Sequence, residues 1–382
     1  MDHPLLGIRV LDFTQVLSGP FATMLLADAG ADVVKVERPD RGDITRGWGP
    51  PFIHGESVYF AAFNRGKRSI CLDLTNSEMS DVARRLSLKA DVVIENLRMG
   101  VMERYGLGPD ELLKEHPELI YVSIRSYPNY SSRALDSGLE VVLEAESGLM
   151  SITGSGNQAE PTRQGVAVID MMTGMAVVAR IYQALYMRAK TGKGEYLTIS
   201  LEEISALMMT HPWLMYLQGE TVYQASGSRH PNIAPYEVFQ TKDQLLLLGA
   251  VDDAQFLRLA TVLGHPEWAV KSDWTTNEKR VCDRDKLHQA IESQLISEGA
   301  EYWHTRFAHA KLPVGIVKSI EAAAEEWRDR QGPKLYAQHP VFGQLAWPVS
   351  PWRQQGGNVL APPTLGNATQ TVLSEWLGEQ NG

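Results

Sequence analysis

Residues 8–37 read IRVLDFTQVLSGPFATMLLADAGADVVKVE, and this stretch decides the fold class. A β-rich run, Ile8 to Phe13, is followed by a turn at Gly19-Pro20, an apolar helical segment and a second β-rich run, Asp32 to Glu37. A strand–helix–strand unit of this size is the building block of a parallel, doubly wound sheet. The sequence therefore predicts an α/β protein whose large domain is Rossmann-like.

The same alternation continues downstream, where amphipathic helices separate further apolar strands. The predicted strands are residues 69–72, 91–95, 120–124 and 195–200. Residues 225–325 follow a different pattern, a short β region and then three helix-like stretches beginning at Asp253, Arg284 and Ala300. We therefore predict a large domain over residues 1–220 and a smaller α+β domain over residues 225–325.

Composition excludes several classes of protein. The 382 residues carry a formal charge of −10, whereas a nucleic-acid-binding face needs a basic excess. An anionic small ligand held by a few local arginines is still compatible with this charge. The two cysteines, Cys71 and Cys282, are far apart, which is typical of a reduced cytoplasmic protein without a structural metal. No signal peptide or run of membrane-helix length is evident, so we predict a cytoplasmic protein that does not bind membranes.

Three common nucleotide and hydrolase motifs are missing. The first strand–helix turn, LSGPFA at residues 17–22, lacks the glycines of G-x-G-x-x-G, so a nicotinamide dinucleotide site is not indicated. Neither a P-loop nor a G-x-S-x-G nucleophile elbow occurs. Arginines do follow two strands, Arg38 after residues 32–37 and Arg98 after residues 91–95. Because ligands bind beyond the carboxyl ends of parallel strands, these two arginines indicate an anion site.

Asp170 is the only charged residue in residues 164–179, QGVAVIDMMTGMAVVA. Burial of a carboxylate in such a run is costly, and its pKa rises unless donors or cations compensate. From the residues alone, two roles for Asp170 stay open and are compatible with each other. It caps the helix predicted to begin at Met171, or it is a reactive carboxylate.

Several segments together resemble the class III CoA-transferase family, which includes formyl-CoA:oxalate and carnitine CoA-transferases and is related to α-methylacyl-CoA racemases. The resemblance lies in residues 7–43, in FNRGKRSICLDL (63–74), in ADVVIENLRMGVMERYGL (90–107), in DMMTGM (170–175) and in KTGKGEYLTIS (190–200). It implies that residues 326–382 return to the large domain and that two subunits interlock as a homodimer. It also implies that coenzyme A is a substrate and that no cofactor is tightly bound.

The resemblance assigns roles residue by residue. Asp170 corresponds to the aspartate that attacks the acyl-CoA thioester, and Trp48 and Glu140 correspond to residues that line the acyl site. Arg229 and His230, in the lid-like loop ASGSRHPNIAP (225–235), are candidates for binding a second carboxylate of the acceptor. The predicted CoA-contacting residues, among which we include the strand-end Arg98, are Val16, Leu17, Ser18, Arg38, Leu72, Asn96, Leu97, Arg98 and Arg104.

We therefore expect an enzyme that moves CoA from an acyl-CoA to a free carboxylic acid through an aspartyl anhydride and an aspartyl-CoA thioester. A dicarboxylic acceptor such as succinate, itaconate or mesaconate fits the Arg229–His230 pair. One alternative is an acyl-CoA racemase that uses Asp170 with Glu140 as a second base. Leu139 stands where the racemases place a histidine, which disfavours that alternative. A second alternative is a non-catalytic CoA-binding subunit.

Overall fold

The computed structural model describes residues 3–156, 160–270, 273–353 and 355–378. The chain forms two compact units. The first comprises Met1–Ser147, Gln164–Thr210 and Gly332–Gly382, and the second comprises Gly148–Arg163 and His211–Gln331. The domain boundaries drawn from composition stay predictions.

A six-stranded parallel sheet forms the centre of the first unit, which confirms the α/β prediction. Its strands lie in the order β3-β2-β1-β4-β5-β6, the doubly wound order of a Rossmann-like fold. Both faces are covered, which explains why the strands are nearly continuous apolar runs. The strands are β1 (Arg9–Asp12), β2 (Asp32–Glu37), β3 (Lys67–Cys71), β4 (Val92–Glu95), β5 (Ile120–Arg125) and β6 (Tyr196–Ser200).

Helices connect these strands, and local sequence fixes several of their ends. Asn76 caps α3 by accepting from the Glu78 and Met79 N–H groups, and Ser200 and Glu203 form a capping box at α8. Helix α7 ends at Gly192, whose φ of 68° is a left-handed conformation that glycine adopts easily. The helices are α1 (Ser18–Asp28), α2 (Val58–Phe63), α3 (Ser77–Ser87), α4 (Val101–Arg104), α5 (Pro109–Glu115), α6 (Glu140–Glu146), α7 (Val168–Thr191) and α8 (Leu201–Met208).

Helix α9 (Thr210–Gly219) leads into the second unit, whose antiparallel sheet has the order β9-β8-β7. The helices predicted to begin at Asp253, Arg284 and Ala300 do begin there. Their apolar faces, including Phe256, Ile291 and Phe307, form one core with the sheet. The elements are β7 (Tyr236–Gln240), β8 (Leu245–Gly249), α10 (Asp253–Val262), α11 (Asn277–Cys282), α12 (Arg284–Leu295), α13 (Ala300–His309), β9 (Val314–Ile316) and α14 (Ile320–Asp329).

The C-terminal part of the chain contributes a small sheet to the first unit, in a stretch rich in proline and glycine for which no strand was predicted. Strands β10 (Lys334–His339) and β11 (Gly343–Pro348) pair antiparallel, and β12 (Gly357–Asn358) pairs parallel with β10. Helix α15 (Thr369–Leu377) then places Val372 and Trp376 in the core of the six-stranded sheet.

The strand order reverses direction between β1 and β4, which lie side by side in the middle of the sheet. Beyond their carboxyl ends, the Asn96 side chain accepts from the Gln15 N–H at 2.8 Å and donates to the Gln15 carbonyl at 2.7 Å. The loops after β1 and β4 are thus held together where doubly wound proteins bind ligands.

Charged side chains are buried beneath these loops, a feature that the sequence did not indicate. Lys67 Nζ lies 3.3 Å from Asp12 Oδ2, and Lys35 Nζ lies 2.8 Å from Asp43 Oδ2. Burial raises the pKa of Asp12, but Lys67, Lys35 and two threonine hydroxyls outweigh it, so that this pKa lies below its usual value. Buried charges of this kind require their partners, because an uncompensated ion in a dry interior is very costly.

Helix α7 corrects two statements made from the sequence. It begins at Val168, three residues before the predicted start at Met171. Its 24 residues are long and apolar enough to cross a membrane by length and composition alone, whereas we expected no such run. In this structure the helix packs on α1, with Ile169, Val177 and Ile181 buried, as in the core helix of a folded domain.

We predict that Lys67→Met lowers the free energy of unfolding by about 3 kcal/mol, because Asp12 then loses its closest buried cation. Urea denaturation followed by circular dichroism measures this loss. The exposed Lys114 on α5 is the control, and Lys114→Met should change stability by less than about 0.5 kcal/mol. If Lys67→Met lowers the free energy of unfolding no more than the control does, then the Lys67–Asp12 ion pair is not important for stability.

Candidate active site

Asp170 lies in the first turn of α7 but does not cap that helix. The helix begins at Val168 with Ala167 as its cap residue, so the prediction that Asp170 caps a helix starting at Met171 is wrong. The Asp170 carboxylate instead faces the hydroxyl and the backbone N–H of Ser18, two donors that act to lower its pKa. Ser18 is the first residue of α1, so Asp170 lies beside the N-terminus of a neighbouring helix.

The environment of Asp170 balances opposing effects. Burial raises the pKa of Asp170 to about 6, while the two hydrogen bonds from Ser18 act in the opposite direction. The positive end of the α1 dipole also favours the anion. Only 8% of the Asp170 side chain is exposed, so at neutral pH it is a largely ionised carboxylate with little water around it.

Gly174 explains how α7 comes close enough to α1 for this contact. It follows Asp170 by four residues, so both lie on the same face of the helix. A Cβ atom at Gly174 would lie 2.8 Å from the Ser18 carbonyl oxygen and 2.9 Å from the Phe21 ring. The glycine therefore allows the two helices to approach, and a side chain there would push Ser18 away from Asp170.

The loop that delivers Ser18 contains a strained residue. Val16 has a φ of 70°, a left-handed conformation that β-branched residues rarely adopt and that costs about 1–3 kcal/mol. Its N–H donates to Asp43 Oδ1 at 3.3 Å. Asp43 is itself anchored by Lys35, so the buried ion pair below the sheet edge helps to hold the strained turn.

Adjoining cavities bring most of the predicted site residues together within the first unit. The Asp170 cavity, about 220 Å³, is lined by Val16, Ser18, Asn96, Leu97, Arg98, Glu140 and Asp170 together with other residues. The Arg38 cavity, about 180 Å³, includes Arg38, Leu72, Leu97 and Tyr105 in its lining. The Arg104 groove is an open surface that Tyr105, Leu74 and Thr75 share with the Arg38 cavity. Leu97 lines both the Arg38 cavity and the Asp170 cavity, so the three sites adjoin one another between Arg104 and Asp170.

Glu140 is the second acidic residue at this site that has a displaced pKa. It begins α6 and lines the Asp170 cavity. The pKa of Glu140 is raised to about 7, and burial is the largest cause. The neighbouring carboxyl group of Glu144 raises it further. The cavity therefore holds two acids whose pKa values are both raised, as is typical of functional sites.

The sequence model of CoA-transferase family III matches residues 5–369. The chain belongs to CoA-transferase family III. This membership confirms the resemblance seen in the sequence and the prediction that the protein is an enzyme, a class III CoA-transferase.

Curated relatives of this family III CoA-transferase extend over most of its length. Succinyl-CoA:glutarate CoA-transferase of Mus musculus is 35% identical over 99% of this chain and 88% of its own. Succinate–glutarate CoA-transferase of Agrobacterium fabrum is 38% identical over 83% of this chain and 81% of its own. The crystal structure of a CAIB/BAIF family protein from Brucella suis superposes with a TM-score of 0.84, at 33% identity, covering 98% of this chain and 100% of that one.

Some predicted residues of the transferase lie outside the Asp170 cavity. Leu17 is buried at the start of α1, and Trp48 packs edge-on against Tyr59 at 5.2 Å between ring centroids. Arg229 and His230 belong to the second unit. Arg229 pairs there with Glu237 at 2.8 Å and Asp285 at 2.7 Å, and His230 stacks on Tyr236. Within the second unit, these contacts stabilise the loop that contains Arg229 and His230.

Sequence reasoning missed three residues that shape the site of the transferase. Gly174 sets the approach of the helices, Asp43 holds the strained turn, and Glu144 raises the pKa of Glu140. Two of them had a signal in helical spacing, because Gly174 follows Asp170 by four residues and Glu144 follows Glu140 by four. Asp43 had none, because its partner Lys35 lies on a different element.

We predict that Asp170→Asn abolishes transfer and at the same time stabilises the fold. The folded-state pKa of about 6 lies above the unfolded value of about 3.9, so at pH 7.5 the ionised carboxylate lowers stability. Removing the charge should raise the free energy of unfolding at that pH by about 1–3 kcal/mol, and the gain should shrink as the pH falls from 6 to 4. Transfer should fall by at least about a thousandfold.

Denaturation at several pH values, combined with an assay of CoA transfer, checks both parts. The exposed Asp329, 71% accessible, is the control, and Asp329→Asn should change neither quantity. If Asp170→Asn is less stable than the parent protein at pH 7.5, then nearby donors offset the cost of burying the ionised Asp170 carboxylate more fully than its raised pKa implies.

Proposed function

We propose that this enzyme transfers CoA from an acyl-CoA to a dicarboxylic acid, with Asp170 as the nucleophile. The observation that carries the proposal is a buried, largely ionised carboxylate in the last of three adjoining sites, the first of which contains Arg104. The relatives named for succinyl-CoA and glutarate support a dicarboxylic acceptor. Glutarate is a dicarboxylic acid outside the three that the sequence suggested.

In the proposed reaction, the Asp170 carboxylate attacks the thioester carbonyl, forming an acyl–aspartyl anhydride and releasing CoA thiolate. The thiolate then attacks the aspartyl carbonyl of the anhydride, which gives an aspartyl-CoA thioester and the free donor acid. The acceptor carboxylate attacks this thioester and releases the thiolate again. A final attack of the thiolate on the acceptor's acyl carbonyl forms the product thioester and regenerates Asp170. Each step exchanges one acyl bond for another, as in other covalent catalysis.

Burial suits the intermediates of this sequence. An anhydride is lost to hydrolysis if water reaches it, and Asp170 is nearly inaccessible. Ser18 fixes the carboxylate with two donors, so little reorganisation is needed before attack. Arg38 and Arg104 are exposed along the path, where guanidinium groups can bind phosphate and stack on an adenine ring.

Arg98 is the cation that we propose binds the distal carboxylate of the acceptor. It is exposed, lines the Asp170 cavity, and forms no ion pair with any described residue. Arg229, the residue suggested by the sequence, already faces two carboxylates. A further proposal, from the family resemblance, is that the enzyme works in the cytoplasm as an interlocked homodimer.

The covalent step is tested by incubating the protein with succinyl-CoA, trapping with hydroxylamine and analysing peptides by mass spectrometry. We expect a hydroxamate on Asp170 and none on the Asp170→Asn variant. The proposal fails if no adduct forms on Asp170 and Asp170→Ala still transfers CoA. Exchange of the α-proton in deuterated water without an acceptor acid would instead indicate the racemase alternative.

The carboxylate-binding assignment is tested with glutarate and its monocarboxylic counterpart butyrate as acceptors. Arg98→Ala should raise KM for glutarate by about tenfold or more while changing KM for butyrate little, because only glutarate has a second charge to pair. Arg229→Ala should not discriminate between the two acids. If Arg229→Ala shows the selective effect and Arg98→Ala does not, the second carboxylate is bound by the loop of residues 225–235.

A further inference from the structure

A buried ion pair holds the backbone of Leu97 on both sides. Glu95 and Arg125 are the last residues of the neighbouring strands β4 and β5, and both side chains are buried. Glu95 Oε2 accepts from the Leu97 N–H at 2.9 Å, while Arg125 Nη1 donates to the Leu97 carbonyl at 3.1 Å. The pair itself joins Arg125 Nη2 to Glu95 Oε1 at 2.7 Å. Charged hydrogen bonds in a buried place are strong, so Leu97 is held in one position.

The contacts of Arg125 differ from those of Arg65, another buried arginine of the first unit. Arg65 directs Nε and Nη2 at the two oxygens of one carboxylate, the favourable two-point contact. Arg125 gives one Nη group to Glu95 and the other to the carbonyls of Leu97 and Ile124. Its Nε is buried without a hydrogen-bond partner among the described residues. An arginine that only neutralised Glu95 would gain more from the two-point contact, so the arrangement favours the backbone of Leu97.

Leu97 has a central place at the candidate active site. It lines both the Arg38 cavity and the Asp170 cavity, and Arg125 lines the latter. The next residue is Arg98, the cation that we assign to the second carboxylate of the acceptor. Because the Leu97 carbonyl belongs to the planar peptide group that leads to Arg98, fixing this carbonyl also fixes the backbone from which the Arg98 side chain extends.

The residue before Leu97 is held separately. The Asn96 side chain accepts from the Gln15 N–H and donates to the Gln15 carbonyl, at 2.8 and 2.7 Å. These two bonds do not involve the Glu95–Arg125 pair. Loss of the ion-pair contacts should therefore loosen residues 97 and 98 without releasing the loop that contains Gln15.

We propose that Arg125 is a positioning residue that, together with Glu95, fixes Leu97 and thereby keeps Arg98 at the Asp170 cavity. This inference rests on the proposed function, in which Arg98 pairs with the second carboxylate of a dicarboxylic acid. A side chain on a mobile backbone loses more conformational entropy when it binds than one on a fixed backbone. The ion pair thus contributes to affinity for the second carboxylate, and attack by Asp170 does not depend on it.

The test is Arg125→Lys, with glutarate and butyrate as acceptors. Lysine keeps a positive charge opposite Glu95, but it is shorter and lacks two separate Nη groups, so it cannot hold both Glu95 and Leu97. We expect KM for glutarate to rise about fivefold, while KM for butyrate, which has no second carboxylate, changes little. Glu95→Gln replaces one acceptor oxygen with an amide and should cause the same selective rise.

Arg65→Lys is the matched control, because it shortens another buried arginine that pairs with a carboxylate. Its partner Asp28, at 2.6 Å, is at the end of α1 opposite to Ser18. Both arginine variants should lower the unfolding temperature, but Arg65→Lys should leave the ratio of the two KM values unchanged. KM does not depend on the fraction of enzyme that is folded, so a merely structural role of Arg125 would not change this ratio.

A double variant shows whether Arg125 acts through Arg98. In the Arg98→Ala background, Arg125→Lys should cause no further rise in KM for glutarate, because the side chain that it positions is gone. If the effects of the two substitutions on KM instead multiply, Arg125 acts independently of Arg98 and does not position it.

The single variants separate failure of this inference from failure of the proposed function. If Arg98→Ala raises KM for glutarate selectively but neither Arg125→Lys nor Glu95→Gln does, then Arg125 is not a positioning residue and the proposed acceptor site stands. If Arg98→Ala has no selective effect while hydroxylamine still traps Asp170, the acceptor assignment is wrong, and the role of Arg125 is wrong with it.

Discussion

The close approach of Ser18 to Asp170 is the constraint on which the rest of the site depends. It joins the first turns of two helices that lie about 150 residues apart in sequence. For this approach, α7 must lie against α1 where Gly174 has no side chain, and α1 must start after a left-handed residue, Val16. Gly19 adds a third requirement, because a Cβ there would lie 2.3 Å from the Thr14 side chain. The Asp170 carboxylate is thus held by close approach of two backbones.

The buried ions below the sheet edge stabilise this arrangement. Asp43 connects the strained turn to Lys35, and Glu37 fixes the following segment through a two-point contact with Arg46 at 2.7 and 2.8 Å. Such pairs add little net stability compared with apolar packing, but breaking one is costly. They therefore make one loop geometry much more favourable than its alternatives, and this loop contains the strained Val16 beside the Asp170 cavity.

The sequence predicted the layered fold well, because a parallel sheet buried on both faces leaves a clear pattern of short apolar strands. β2 was predicted at its observed bounds, and Asp170 stood out because an isolated acid in an apolar run is unusual. The start of α7 was misplaced because Ala167 and Val168 carry no capping signal. Strands β10 and β11 were missed because proline and glycine residues surround them.

Buried basic residues show a different limit of sequence reasoning. Arg65 and Lys67 are of residue types that are mostly exposed, yet both are buried and paired with Asp28 and Asp12. Their partners are on distant elements, so no local spacing reveals them. The opposite holds for Arg98, since only the three-dimensional arrangement shows that it lines the Asp170 cavity without an ion-pair partner among the described residues.

The different protonation of the two acids follows from what each one contacts. Asp170 and Glu140 are both buried, yet Asp170 receives two donors from Ser18 at a helix N-terminus, while Glu140 faces another carboxyl group. Donors favour the anion and a like charge favours the acid, so Asp170 is more readily ionised than Glu140 beside it. Burying either carboxyl group lowers the stability of the fold relative to an apolar side chain of similar size. The free energy given up at these two positions is what keeps the Asp170 carboxylate in a nearly dry cavity.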